Sequence, residues 1–267
     1  MAAMTDDIAR LLQAYDDQLR RDAEVVGALS FTEDGPLVRG VFGWGGFTTY
    51  RSLDGVDDLD ELIERTIAHY RDETEVARFE WKTRGHDQPA DLGQRLVAQG
   101  FQAEELETVM VGPVEHLVQD VELPPGVRIR QAGVAGDFTD DVTRANHLQN
   151  AVFGGGDATA VETIDRLERS RGNATMWLAE DGDEVISAGR LEIVPGTDFA
   201  GLWGGVTHAA RRGQGIYRAL TAARAAHAQQ AGVKFMQSDC SPMSQLILER
   251  SGLTAVTTTT PYIWTRV

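Results

Sequence analysis

Apolar residues recur along this chain at two alternating spacings. Ile8, Leu11, Leu12, Tyr15 and Leu19 share one face of a helix over Thr5 to Arg20, with Thr5 placed to cap it. Val25 to Phe31 and Leu37 to Tyr50 read as strands around the turn Glu33-Asp34-Gly35-Pro36. Asp57 to Arg71 predicts a second helix, acidic at its start, with Leu59, Ile63 and Ile67 inward. A strand over Val76 to Lys82, a short helix over Leu92 to Gln99 and a strand over Glu107 to Val111 follow. Val121-Glu-Leu-Pro-Pro-Gly126 then breaks the pattern and reads as a linker. The expected organisation is a domain over 1–120, a linker over 121–126 and a second domain over 127–267.

In the second half, Val127 to Arg130 alternates as a strand, and Asp137 to Val152 is helical up to Phe153 and the run Gly154 to Gly156. Thr159 to Arg169 predicts another helix. Thr175 to Glu180 and Glu184 to Val194 form a hairpin about Asp181-Gly182-Asp183, paired acids that suit a turn better than a metal. Leu202 to Thr207 is apolar or β-branched enough for a strand, Gly213 and Gly215 punctuate a turn, and strong helix formers run from Ile216 to Gln230. Lys234 to Asp239 is a strand, Pro242 opens a helix that stops at Gly252, and Thr254 to Trp264 supplies the last strand.

The strand–loop–helix from Gly201 to Gln230 carries the chemistry. Its glycine turn offers unpaired backbone N–H groups and the positive end of a helix dipole to one spot, with Arg211, Arg212 and Arg218 around it. That combination suits a phosphate or pyrophosphate. Arg212-Gly-Gln-Gly-Ile-Tyr217 resembles the pyrophosphate loop of the GNAT family of acetyl-CoA-dependent N-acetyltransferases, Arg/Gln-x-x-Gly-x-Gly/Ala, with Tyr217 in place of the final small residue, a departure the loop tolerates if it uses the Tyr217 N–H and the side chain turns away. The resemblance extends over roughly residues 127–267. It implies an α/β (α+β) GNAT acyl-CoA N-acyltransferase fold, a mixed, mostly antiparallel twisted sheet flanked by helices. An internal echo points to a tandem. Leu96-Val-Ala-Gln-Gly100-Phe and Leu248-Glu-Arg-Ser-Gly252-Leu each end a helix before a strand, with Arg78-Phe-Glu-Trp and Lys234-Phe-Met-Gln in corresponding places before them. The first half then reads as a degenerate GNAT-like copy without the basic glycine loop.

By the same resemblance, the backbone of Gly205, Val206 and Thr207 would pair with the pantetheine arm of acetyl-CoA. The amides of Gly213, Gln214, Gly215, Ile216, Tyr217 and Arg218 would hold its pyrophosphate, an N–H near Val206 would face the carbonyl, and Ser241 would keep one hydrogen bond to the cofactor. The family's usual Tyr acid is replaced by Leu248, and its strand glutamate by Gly201 or Met236. Asp239, at the exit of the strand beside the site, is the candidate base, with capping of the Pro242 helix as the competing role. Glu192 is a second candidate; His208 suits a cofactor contact and Cys240 a packed core position. Asn146, His147, Phe153 and Gly154 to Gly156 mark the expected acceptor segment.

Composition narrows the setting. The net charge of −16, from 41 acidic and 25 basic residues, argues against nucleic acid or an anionic membrane as partner. One cysteine, no apolar run long enough to span a bilayer and an acidic helical start lead us to expect a cytoplasmic protein. The six histidines lack ligand spacing, so no metal is expected. The expected activity is transfer of an acetyl group from acetyl-CoA to an amine, small molecule or peptide, by direct attack in a ternary complex. The alternatives are a non-catalytic acyl-CoA-binding module and a dinucleotide binder, the latter lacking the third glycine of its fingerprint. Oligomeric state and acceptor identity are not encoded in these patterns.

Overall fold

A computed structural model describes residues 2–154 and 159–266, with side chains from Asp6 onward. The elements are α1 (Ala2–Gln18), β1 (Ser30–Asp34), β2 (Leu37–Phe42), β3 (Gly45–Tyr50), α2 (Leu59–Asp72), β4 (Arg78–Arg84), α3 (Leu92–Ala98), β5 (Gln102–Ala103), β6 (Glu107–Pro113) and α4 (Val114–Leu117). They continue with β7 (Val127–Gln131), α5 (Phe138–Phe153), α6 (Ala160–Arg169), β8 (Ala174–Asp181), β9 (Glu184–Ile193), β10 (Phe199–Thr207), α7 (Ile216–Gln230), β11 (Phe235–Cys240), α8 (Pro242–Arg250) and β12 (Thr254–Thr265). Packing gathers them into two compact units that do not follow chain order. The first takes everything up to Val109, Asp239–Pro242 and everything from Ala255 on; the second takes Met110–Ser238 and Met243–Thr254. Residues 121–126 carry neither helix nor strand.

In the first unit the strands run β1-β2-β3-β4-β12, with β5 on β12. β3 and β4 are parallel and pair over Gly46–Phe79 to Thr48–Trp81. The core lies under α2 and α3, where Leu62, Ile63, Tyr70, Leu92 and Leu96 bury against Phe79 and Trp81. α2 starts on Asp58, whose carboxylate accepts the Glu61 N–H at 2.9 Å. Three sequence expectations change here. The Leu37 to Tyr50 strand is a hairpin, because Gly45 turns at φ +148° and Gly46 lies where a Cβ would strike Tyr70 and Phe79. The Val25 to Phe31 strand is replaced by a 3-10 turn over Arg21–Val25 and β1, because Val25 buries against Val38 and Phe47. α1 begins at Ala2, which puts Thr5 inside the helix and not at its cap.

In the second unit the order is β6-β11-β10-β9-β8-β7, largely antiparallel. β10 and β11 are parallel, pair over Phe199–Phe235 to Gly201–Gln237, and then part. α5 and α6 cover one face, packing Val142, Ala145, Leu148 and Leu167 on Met176, Leu178, Ala188 and Val206. α6 starts in a full Thr159–Glu162 capping box. Arg130 ties α5 to the sheet by reaching both Asp141 and Glu180, and its guanidinium holds the Asp141 carboxyl down at about 2. No helix among the described residues is long and apolar enough to cross a membrane. Among them no group of three or more His, Cys, Asp or Glu is placed to hold a metal.

Candidate functional site

Past Gly201, β10 keeps its partner β9 but has no further ladder with β11. Trp203 pairs with Arg190 and Val206 with Ala188, so three steps on β10 oppose two on β9 and the strand bulges at Gly204-Gly205. Gly204 takes φ +57°, a left-handed conformation that favours glycine, and its carbonyl accepts the Gln149 side-chain amide at 2.6 Å. Beyond the bulge, the Ser187 hydroxyl donates to Val206 O at 2.5 Å and lies 2.9 Å from the Thr207 hydroxyl. Val206 and Thr207 are buried and Gly205 is half-buried.

A 3-10 turn over Ala209–Arg211 leads into the glycine loop. Gly213 and Gly215 both stand in the left-handed region, and Gly215 caps α7 without any side-chain cap. The first turn of α7 carries no acid. Among the described residues, the amides of Gly213, Gln214, Gly215, Ile216, Tyr217 and Arg218 have no hydrogen-bond acceptor; the first α7 amide to find one is that of Ala219, on Gly215 O at 2.9 Å. Six donors thus converge on one helix start, with exposed Arg212 and Arg218 beside them. Arg212 Nε also donates to Thr207 O at 3.3 Å. Arg211 is committed elsewhere, in an ion pair with Asp181.

Tyr217 does not turn away from the strand. Its ring lies against Gly205, where a Cβ would stand 2.8 Å from the phenolic oxygen. The hydroxyl hydrogen-bonds the Arg224 guanidinium, which is buried in α7 and also donates to Leu220 O, Arg190 O and Thr221. Burial lowers the Arg224 pKa, and the Tyr217 bond works against that shift. The small residue expected at 217 has in effect moved to the strand, at Gly205.

A family model for acetyltransferases of the GNAT family matches residues 143–243, the stretch that contains this bulge, loop and helix. Residues 143–243 are a GNAT domain. Solved structures extend the likeness of fold to nearly the whole chain. A GCN5-related N-acetyltransferase from Kribbella flavida superposes with a TM-score of 0.67 at 15% identity, covering 95% of this chain and 94% of that one. A tandem GNAT protein from the clavulanic acid biosynthesis pathway reaches 0.58 at 13% identity over 86% of this chain and 78% of its own. A GCN5-related N-acetyltransferase from Sphaerobacter thermophilus reaches 0.63 at 13% identity over 86% and 76%. A search of curated proteins returns no significant match. The chain has the GNAT fold, with tandem GNAT proteins among its neighbours.

The acid–base candidates are placed as follows. Leu248 is buried in α8. Glu192 accepts from Arg190 and Arg166, and although burial pushes its pKa up, the two arginines hold it below the usual range, which makes it a weak base. His208 is exposed, with its backbone N–H on Ile186 O. Cys240 is buried and Ser241 exposed. In the expected acceptor segment, Asn146 is buried, donating to Thr163 at 3.4 Å, and His147 and Phe153 are exposed. Gly155 and Gly156 lie outside the described residues.

Asp239 and Ser241 belong to the first unit, through its segment Asp239–Pro242. Asp239 is buried against the Lys82 ammonium, Nζ to carboxylate 2.5 Å. Burial disfavours the Lys82 charge, but Asp239 outweighs it and raises the ammonium pKa. Around this pair stand Arg84, bonded to Glu24 and to the Tyr15 hydroxyl at 2.7 Å, and Glu80, whose carboxyl burial pushes up to about 7. Glu80 was missed from sequence. The signal was the alternation Arg78-Phe-Glu-Trp-Lys-Thr-Arg84, which puts every charge on one face of β4 and reads as a solvent face until Tyr15 and Glu24 cover it.

Proposed function

We propose that this protein transfers an acetyl group from acetyl-CoA to an amine, small molecule or peptide, by direct attack in a ternary complex. The observation that carries the reading is the set of six amides, 213–218, left without internal acceptors at a helix start that has no acidic residue and no side-chain cap. A diphosphate satisfies all of those requirements together. In this reading Arg212 and Arg218 add charge, and the part of β10 that has lost β11, from Gly205 to Thr207, offers backbone groups to the pantetheine arm. Ser241 contributes one hydrogen bond. Acetyl-CoA supplies the activated thioester; the chain supplies orientation and an N–H near Val206 for the developing oxyanion.

Asp239 is kept as the proposed general base. The competing account needs no side chain, since an amine delivered deprotonated can react by positioning alone. Asp239→Asn separates them. A general base is worth roughly 10² to 10⁴ in rate, so folded variant that keeps turnover within about tenfold removes Asp239 from the role.

The primary test is calorimetric titration with CoA, followed by thiol release on mixing acetyl-CoA with a panel of amines. No heat with CoA overturns the reading. Buried Leu248, where the family's acid would stand, favours a second reading as a non-catalytic acyl-CoA-binding module. CoA binding without thiol release on any amine would establish that one instead. Titration with NAD addresses the dinucleotide alternative directly.

A further inference from the structure

Resting on the transfer reading above, we propose that the acceptor is an amino acid-like zwitterion, whose carboxylate is read by Arg166 and Arg190 across Glu192. The argument begins with the two sides of the β10 bulge. On the α7 side, a Cβ at Gly205 would meet Tyr217 Oη at 2.8 Å and Cε2 at 2.9 Å, so that side is filled by the phenol ring. On the α5 and α6 side, Gly204 faces polar side-chain ends: a Cβ there would lie 2.6 Å from Gln149 Nε2 and 3.4 Å from Arg190 Nη1. An acceptor reaching a thioester on β10 therefore approaches along Gln149 and Arg190.

Arg190 sits opposite Trp203, at the first position of the bulge. Its Nε donates to Glu192 at 3.1 Å, and Arg166 Nη2 donates to the other oxygen of the same carboxylate at 3.0 Å. The three side chains line one polar strip on the α6 side of β9, 19% exposed at Arg190, 20% at Glu192 and 47% at Arg166. Taken by itself this trio sets two guanidinium groups against one ionised carboxylate, a surplus that favours an anion. Guanidinium groups offer paired donors in the plane a carboxylate presents. Arg190 also lies beside Gly204, so only a short spacer separates the recognised anion from an amine at the bulge. An α- or β-amino acid has that spacing; a long diamine has neither the charge nor the reach.

Three equimolar pools test the proposal: the common amino acids, their carboxamides and short aminoalkyl phosphates, each incubated with the full-length protein and acetyl-CoA and read by mass spectrometry. The expected result is acetylation of the amino acids at least tenfold faster than of the carboxamides or phosphates. In Arg166→Gln, exposed on α6, the acid-to-amide ratio should fall toward one while the Kd for CoA stays unchanged. Carboxamides or phosphates acetylated as fast as the acids, or an unchanged ratio in Arg166→Gln, overturns the acceptor assignment alone. A protein that binds CoA and acetylates no pool, yet releases thiol with another amine, overturns the acceptor assignment alone; one that fails to bind CoA, or releases no thiol with any amine, overturns the transferase reading and this inference with it.

Discussion

Gly205 and Tyr217 make a test of the site that uses one clash. In Gly205→Ala, the new methyl carbon stands 2.8 Å from Tyr217 Oη, 2.9 Å from Cε2 and 3.2 Å from Cζ. Unstrained contacts between such atoms lie near 3.5 Å, so the ring must retreat by about half an ångström or the strand must give. The ring is not free to retreat. Its hydroxyl is bonded to Arg224, and Arg224 is buried and braced by three further acceptors in α7 and β9. Overpacking of this kind costs about 1–3 kcal/mol. Tyr217→Ala alone removes the ring and one partner of a buried cation, costing about 1–3 kcal/mol by the lost hydrogen bond. In the double variant the clash is gone, so the Gly205→Ala cost should vanish and the two changes should couple by about 1–3 kcal/mol. Urea denaturation of the four proteins measures the cycle. CoA titration of the same four should weaken most in Gly205→Ala, where strain falls on the first turn of α7. Costs that add to within about 0.5 kcal/mol would refute the contact and the argument for Gly205.

Further outcomes follow from the charged residues. The Glu80 carboxyl is pushed from 4.5 to about 7 in the folded state, so between those values the native protein holds a proton the unfolded chain has lost. Stability is therefore shed as pH rises through that window and is level above it; the interval corresponds to about 3 kcal/mol, less in proportion to the partial exposure of Glu80. Glu80→Gln should gain over wild type from almost nothing at pH 4.5 to about 1–3 kcal/mol at pH 7.5 in chemical denaturation, and a pH-independent difference would contradict this. Lys82→Met takes the ammonium away from the buried Asp239 carboxylate and should destabilise by about 3–5 kcal/mol, with most of that restored when Asp239→Leu is added; a mild single variant would mean the pair contributes little. Arg212→Glu should weaken CoA roughly 10- to 100-fold, and wild-type binding should weaken with salt. Binding indifferent to both would place the diphosphate elsewhere.

The second half was legible wherever the signal was local. The Asp181-Gly-Asp183 turn, the helix over Thr159 to Arg169 and the Gly213–Gly215 corner each depend on residues a few positions apart, and each stands where its spacing puts it. What failed depended on partners distant in sequence. Nothing near Phe42 announces the hairpin, because Gly46 is required by Tyr70 and Phe79, brought from α2 and β4. Nothing within the last strand indicates that residues from Ala255 on pack with the first unit. The loop motif was readable, yet Tyr217 was expected to point away. Its place is decided by Gly205 and Arg224, which approach it only in the folded chain.

The two units also explain why one glycine loop suffices. Each places a helix after the first strand of a short parallel pair, α2 after β3 and α7 after β10. The α7 start is capped by a glycine and bordered by exposed arginines, whereas the α2 start is capped by the Asp58 carboxylate and followed by Asp60 and Glu61. An anion at α2 would have to displace a charge already bound there and face two more. The gap beyond the β3–β4 ladder is closed as well. Arg20, buried, donates to Tyr50 O at 3.2 Å and to Asp16 and Asp87, and the Tyr50 hydroxyl donates to Asp87 at 2.5 Å. Beyond the ladder on β3, the Tyr50 carbonyl is satisfied by the protein's own Arg20. Removing Asp58 alone would therefore not give the first unit an anion site; the Arg20–Asp87–Tyr50 network would have to open too, and leaving its charges buried without partners costs several kcal/mol.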